Sequence, residues 1–248
     1  MTWSFQLYSA RNFQPWEDVL ATLADVGYRN VEGFGAVFAD PKGFRAELDR
    51  HGLAMPTAHF SLEMLENDFS AAREIARALG VTLIACPFLP PEQRPGDAAG
   101  WTAFGKRLAK VGEAARWAGF DFAWHNHDFE FQRLPDGSIP QALIFDAAPE
   151  VGWEIDVAWV VRGGADVDQW VKDYADRIVA VHVKDIAPDG EAADEDGWAD
   201  VGHGIIDWRG LLETLRARTP ARHFIMEHDR PSDYARFARR SLEAVQSW

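Results

Sequence analysis

The sequence predicts a single-domain (β/α)8 TIM barrel, and three observations carry that prediction. One phrase recurs along the 248 residues: an amphipathic helix, a glycine, then a short apolar or alternating run. It is read in "LADVGYRNVE", "DRHGLAMPTAH", "RALGVTLIACP" and "RWAGFDFAWHNH". Each glycine suits the left-handed residue that closes a helix, and the β-branched and aromatic residues after it suit a strand. Helices that return repeatedly to strands imply parallel pairing. The second observation is the number of strand candidates, at residues 4–8, 30–34, 54–59, 82–87, 121–125, 152–157, 178–183 and 223–227. Eight such units in this length favour a closed barrel over an open doubly wound sheet. The third is that neither G-x-G-x-x-G nor a Walker sequence occurs to support a nucleotide-binding sheet.

The first helix shows how each unit is specified. Pro15 suits its first position, and Glu17 and Asp18 suit its positive end. Trp16, Val19, Leu20, Leu23 and Val26 form one apolar stripe, and Gly27 closes the helix before the second strand. Gly52, Gly80 and Gly119 take the same place before the third, fourth and fifth strands.

Composition narrows the function classes. With 47% apolar and 26% charged residues and no Ser/Gly- or Pro-rich linker, the chain reads as one globular domain spanning 1–248. Its apolar runs are too short to cross a bilayer and "MTWSFQLYSARN" carries no basic segment followed by an apolar one, so the expectation is a cytoplasmic protein. A lone cysteine, Cys86, rules out an internal disulfide and sits between Ala85 and Pro87 as a small core residue. The formal charge of −14 opposes binding to nucleic acid or to anionic lipid. It also speaks against a DNA-repair nuclease on this barrel, which needs a basic groove and more His ligands than eight histidines supply. Homodimerisation through the barrel helices is left open, since no apolar stripe marks it.

In such a barrel the C-terminal strand ends carry the chemistry, because their loops converge on one mouth. Here those ends read Glu32; His59, with Glu63 just after; His125, Asn126 and His127; Glu154 and Asp156; His182, Lys184 and Asp185; Glu227, His228 and Asp229. Pleating places Glu154 and Asp156 on one face of their strand, and His182 and Lys184 on one face of theirs. The opposite residues, Trp153, Ile155, Val157, Val181 and Val183, belong under the helices. Asp156, His182 and Glu227 therefore converge from neighbouring strands, with His125 arriving from the strand before. Two imidazoles and two carboxylates make a site for one divalent ion: Mn²⁺, Co²⁺, Zn²⁺ or Fe²⁺. Mg²⁺ fits two nitrogen ligands less naturally.

Around that set, His127 is placed on the opposite pleat or in the loop as a structural or substrate-side hydrogen-bonder, and Glu130 as a loop-fixing group. Lys184 either pairs with Asp156 or Glu154 or orients substrate oxygens. Glu32 and His59 face the mouth as substrate contacts, with Trp159 as an apolar wall. The acidic, glycine-containing stretch "IAPDGEAADEDGWADVGHGIIDW" is expected to form a partial lid, with His203 as its substrate contact.

The segments "LYSARN", "HNHDFEF", "EIDVAWVVRGG", "VHVKD", "GHGIIDW" and "MEHD" resemble the sugar phosphate isomerase/epimerase family of xylose isomerase-like TIM barrels. The likeness spans nearly the whole chain, and its specific part is "EIDVAWVVRGG" with "VHVKD", which sets Asp156 and His182 26 positions apart. The resemblance implies one divalent metal held by a Glu, an Asp, a His and a second Glu. Asp156, His182 and Glu227 match the last three, while His125 stands where relatives carry the first Glu. That departure resembles the branch acting on ketosugars, ketoglycosides or ketoinositols rather than the free-ketose 3-epimerases.

The function expected is a metal-dependent isomerase or epimerase acting on a ketosugar or related small carbohydrate through a metal-stabilised enediolate. Glu227 is the expected acid/base, with Glu154 or His125 serving the opposite face and Lys184 supporting the developing charge. Loss of a β-oxygen from the same intermediate would make the protein a lyase or dehydratase on a ketoglycoside or ketoinositol. A noncatalytic sugar-binding barrel is the alternative of another class.

Overall fold

The computed structural model describes residues 2–248. Eight parallel strands close into a TIM barrel: β1 (Trp3–Gln6), β2 (Asn30–Gly33), β3 (Ala54–His59), β4 (Leu83–Cys86), β5 (Asp121–His125), β6 (Gly152–Asp156), β7 (Ile178–Val183) and β10 (His223–Met226). Going round the barrel the order is β1-β10-β7-β6-β5-β4-β3-β2, and β1 closes it by pairing Trp3 with Phe224 and Phe5 with Met226. The remaining two strands, β8 (Asp185–Ile186) and β9 (Trp198–Ala199), form a small antiparallel pair outside the barrel. Helices α1 (Trp16–Val26), α2 (Pro41–Arg50), α3 (Leu62–Asn67), α4 (Phe69–Leu79), α5 (Ala98–Trp117), α6 (Pro140–Ala147), α7 (Val157–Arg162), α8 (Val167–Tyr174), α9 (Trp208–Arg218) and α10 (Tyr234–Gln246) lie between the barrel strands and after the last. None of them is long and apolar enough to cross a membrane.

The eight predicted strands are all present, with ends differing by one or two residues. The glycine punctuation also holds: Gly27 and Gly80 terminate α1 and α4 at φ values of +119° and +83°, where a side chain would be strained. Pro15 is displaced by one position. It caps α1 with extended backbone instead of opening its first turn, and the helix begins at Trp16.

Alternation along the strands separates two layers. Trp153 and Ile155 on β6, and Val181 and Val183 on β7, join the large apolar core between barrel and helices. The inward positions below the mouth are filled by Leu83, Ala123, Ala180 and Ile225, a small apolar layer that plugs the barrel. Glu154, Asp156 and His182 stand above that plug on the same inward face, and each is fully buried.

The stretch expected as a lid does not reach the cavity. The stretch 186–206 contributes no residue to the lining of the large cavity in the mouth. Instead it is fastened to α10 and to the loop before it. Glu195 accepts from the Ser232 hydroxyl and backbone N–H and from Arg236, and Asp200 accepts from Arg236 and Arg240. Trp198 is fully buried against Trp159, with the Arg162 guanidinium 3.2 Å over its ring. Asp185 accepts backbone N–H groups from Ile186, Gly202, Gly204 and Ile206, so the turn wraps a single carboxylate. Acidic residues that look solvated in the sequence are neutralised by arginines about forty positions ahead.

Candidate metal centre

Each ionisable group at the mouth is placed by a strand end. Glu32 ends β2 with only Gly33 beyond it, His59 ends β3, His125 ends β5, Glu154 and Asp156 share β6, and His182 lies on β7. Lys184 follows β7, and Glu227 and Asp229 follow β10. Register brings them level: His125 pairs with Glu154, and Asp156 with His182.

Two overlapping groups of ligand atoms result. His125, Asp156, His182 and Glu227 offer one atom each within 4.8 Å of one another, and so do His59, His125, Glu154 and His182. The first group is the one expected from the sequence. The second shares its two imidazoles and lies on the side of His59.

Hydrogen bonding distinguishes the members. His182 is held at both nitrogens, with Nδ1 2.9 Å from Glu227 Oε2 and Nε2 2.6 Å from Glu32 Oε1. His59 Nε2 lies 2.6 Å from Glu154 Oε1. Asp156 Oδ1 accepts from the Trp159 N–H at 2.9 Å and so caps α7. Its Oδ2 has no hydrogen-bond partner among the described residues, and neither does His125 Nδ1, Glu154 Oε2 or Glu32 Oε2. Four buried, unsatisfied ligand-type atoms in one small volume are what a cation would engage. The donor set of nitrogen and carboxylate oxygen fits a divalent transition metal.

Charge points the same way. Five carboxyls, Glu32, Glu154, Asp156, Glu227 and Asp229, cluster here with a single ammonium, Lys184, which is fully buried and meets only the last three. Lys184 donates to Asp229 at 2.5 Å and lies 3.4 Å from Glu227 and 3.6 Å from Asp156, with its head 4.1 Å from the Trp198 ring. Carboxylates in such excess must share protons with the histidines or hold a cation. Burial opposes charge on His59, but Glu32 and Glu154 outweigh it and push the imidazole up to about 10. Burial raises Asp156 to about 7 against the pull of Lys184. His125 goes the other way, held well below the ordinary value by burial and by the neighbouring His182 and His59, which keeps it a neutral ligand.

The mouth opens into a cavity of about 950 Å³. His59, His125, His127, Trp159, Glu227 and Asp229 are among its walls. Several expectations are displaced by this geometry. Glu32 and Glu154 do not line the cavity; they lie under the histidines, with Glu32 also accepting from Gln6 at 2.8 Å. Lys184 is likewise behind Glu227 and Asp229 and paired with them and Asp156, not with Glu154. His203 is exposed in the turn around Asp185 and is not part of the cavity wall. His127 lies in the loop beyond β5, one of its two expected placements, and shares the cavity side with His125, their rings 5.2 Å apart. The residue on the opposite pleat is Asn126. It accepts from Trp153 Nε1 at 2.8 Å and from the Asp156 N–H at 3.0 Å, and donates to the Asp156 carbonyl at 3.1 Å. Glu130 is the expected loop-fixing group: buried, it accepts the His127 N–H at 2.9 Å, and burial pushes its carboxyl up to about 8.

Sequence reasoning assigned no role to Asn126, Asp229 or Gln6. Asn126 had a signal, an amide between two histidines at a strand end, whereas the reach of Gln6 to Glu32 depends on the β1–β2 register.

Comparison with known proteins follows the same fold. A comparison with curated proteins found no match. A sugar phosphate isomerase/epimerase from Parabacteroides distasonis is 20% identical with a TM-score of 0.83, over 99% of this chain and 93% of that one. The IOLI protein with a bound zinc atom is 16% identical with a TM-score of 0.76, over 100% and 96%. A 3-keto-D-glucoside 4-epimerase from E. coli is 19% identical with a TM-score of 0.73, over 100% of both chains. The sequence profile of the xylose isomerase-like TIM barrel matches residues 20–247, and the chain belongs to that family.

Proposed function

We propose that the chain is a divalent-metal-dependent enzyme that isomerises or epimerises a ketosugar or related carbohydrate. The observation that carries this reading is the first ligand group, His125, Asp156, His182 and Glu227, in which Asp156 Oδ2 and His125 Nδ1 lack hydrogen-bond partners among the described residues and His125 and Glu227 line a large cavity. The fold shared with a sugar phosphate isomerase/epimerase and a ketoglucoside epimerase supports the substrate class, and the zinc-bearing neighbour supports the cofactor. Mn²⁺, Co²⁺, Zn²⁺ and Fe²⁺ all suit the donors.

A divalent ion held there would polarise a substrate carbonyl and make the adjoining C–H acidic. The residues supply the rest. Glu227 Oε2 is engaged by His182 and Lys184, which leaves Oε1 to take the substrate proton as general base. Returning the proton to the neighbouring carbon isomerises, and returning it to the other face epimerises. His59 lines the cavity and, with its imidazole raised by Glu32 and Glu154, is the group able to hold a proton across from Glu227, a task for which Glu154 lies too deep. Lys184 acts through its partners as a positioning residue, fixing Glu227 and Asp229 by charge. Trp159 and His127, 5.3 Å apart, wall the site against water.

The test is a panel of ketosugars and ketoglucosides incubated with metal-stripped protein and with protein reloaded with Mn²⁺, Co²⁺ or Zn²⁺, read by NMR for new isomers. Metal-dependent conversion of at least one member is expected. Tight metal and sugar binding with no conversion of any member would leave a sugar-binding barrel instead.

A further inference from the structure

The cavity has two chemically different halves, and the topology explains why. The proposed ligands come from β5, β6, β7 and β10, which are neighbours in the barrel, while β1, β2, β3 and β4 form the other contiguous half of the mouth. The segments after those four strands line the cavity with Tyr8, Phe34, Phe38, Leu62, Met64 and Phe88. Tyr8 and Phe88 are 38% and 39% exposed, unusual for large apolar side chains at a rim where no other part of the chain covers them. The rings are held in place from behind. Tyr8 and Phe34 meet edge to face at 5.4 Å, Phe38 stacks on Phe60 at 4.5 Å, and Phe88 meets His127 edge to face at 5.2 Å. Through His127 the apolar wall is continuous with His125, its rings 5.2 Å apart at each step.

A single sugar ring leaves much of about 950 Å³ unfilled, since cavities for drug-sized ligands run from about 300 to about 1,000 Å³. A ring placed on the ligand half satisfies its hydroxyls there and projects any substituent toward the aromatic half. Resting on the function proposed above, we propose that the substrate is a glycoside whose ketosugar ring occupies the ligand half and whose aglycone is an aryl group held by Tyr8, Phe34, Phe38 and Phe88. A flat aromatic group matches edge-to-face and stacked ring geometry and gives up little rotamer freedom, whereas a flexible alkyl chain loses more on ordering. Among the polar residues lining the cavity, Glu63, Asn67 and Gln93 lie in the segments after β3 and β4 and are exposed, and suit phenolic hydroxyls at the edge of such a ring.

The experiment compares the affinities of methyl 3-ketoglucoside, phenyl 3-ketoglucoside and a 3-keto-disaccharide by calorimetry, using Mn²⁺-loaded Glu227→Gln so that turnover does not intervene. The phenyl compound is expected to bind at least about tenfold tighter than the other two, the scale of one well-packed aromatic contact. Tyr8→Ala and Phe88→Ala, both at exposed positions of the rim, should bring the phenyl compound down to the affinity of methyl 3-ketoglucoside. Equal binding of the methyl and phenyl compounds would overturn the aryl site while sparing the sugar reading. A disaccharide as tight as the phenyl compound would overturn it in favour of a second sugar. No binding by any of the three would bring down both the aryl site and the ketosugar function beneath it.

Discussion

Removing the Asn126 side chain tests whether the ligand set is held by the backbone beneath it. In Asn126→Ala the indole N–H of Trp153 and the backbone N–H of Asp156, now 2.8 and 3.0 Å from Asn126 Oδ1, lose that acceptor in a fully buried place. An orphaned buried group costs about 1–3 kcal/mol, so two give roughly 4 kcal/mol. In a domain of this size, each kcal/mol lowers the melting temperature by about 2–4 °C, so the expected loss is about 8–16 °C. The assay is thermal unfolding in the presence of chelator, so that metal linkage does not enter, with metal titration of the same samples at a temperature where both remain folded. Because the amide also fixes the Asp156 carbonyl, at 3.1 Å, metal affinity should fall with stability. A loss below about 1 kcal/mol, with unchanged metal affinity, would refute the reasoning by showing that water replaces the amide.

Three further outcomes are expected. His125→Ala should weaken metal binding far more than His127→Ala, read by elemental analysis and titration with Mn²⁺, Co²⁺ and Zn²⁺; equal losses would move the ligand role off the strand end. Wild-type protein should retain about one ion per chain, with affinity falling below about pH 7 as the Asp156 carboxyl, raised to about 7 by burial, takes up a proton. Retention of two ions would mean that the second group, containing His59 and Glu154, also fills. For Glu195, burial alone would raise the carboxyl, but Arg236 and Ser232 outweigh it and hold it down at about 2. A lowered carboxyl contributes stability above its ordinary value and loses it as pH falls toward the folded value. Wild type should therefore lose stability between about pH 4.5 and 2 more steeply than Glu195→Gln in acid denaturation, and parallel curves would contradict that assignment.

The barrel was legible because its signals are local. A helix closed by glycine and followed by β-branched or aromatic residues reports a strand from within about ten positions, and period-two alternation assigned Asp156 and His182 to the inward face. Depth was not legible. Glu32 and His59 both end inward-facing strands, yet Gln6 and His182 draw Glu32 under the site while His59 reaches the cavity, and that depends on register across three strands. His203 and the stretch expected as a lid lie away from the cavity for a related reason. The acidity of 189–200 reads as solvation until Arg236 and Arg240 are folded against it, and the turn carrying His203 is shaped by Asp185 rather than by its own residues.

The central claim, that Glu227 moves a substrate proton beside a bound metal, is tested most directly by deuterium uptake from D₂O into recovered ketosugar, compared between wild type and Glu227→Gln at matched metal occupancy. The substitution keeps shape and an oxygen while removing the basic carboxylate, so wild type should incorporate deuterium next to the carbonyl and the variant should do so roughly 10² to 10⁴ times more slowly. Exchange at the wild-type rate in Glu227→Gln would reduce Glu227 to a ligand and pass the base role to another group lining the cavity. Conversion by wild type with no proton transfer at all would contradict the account.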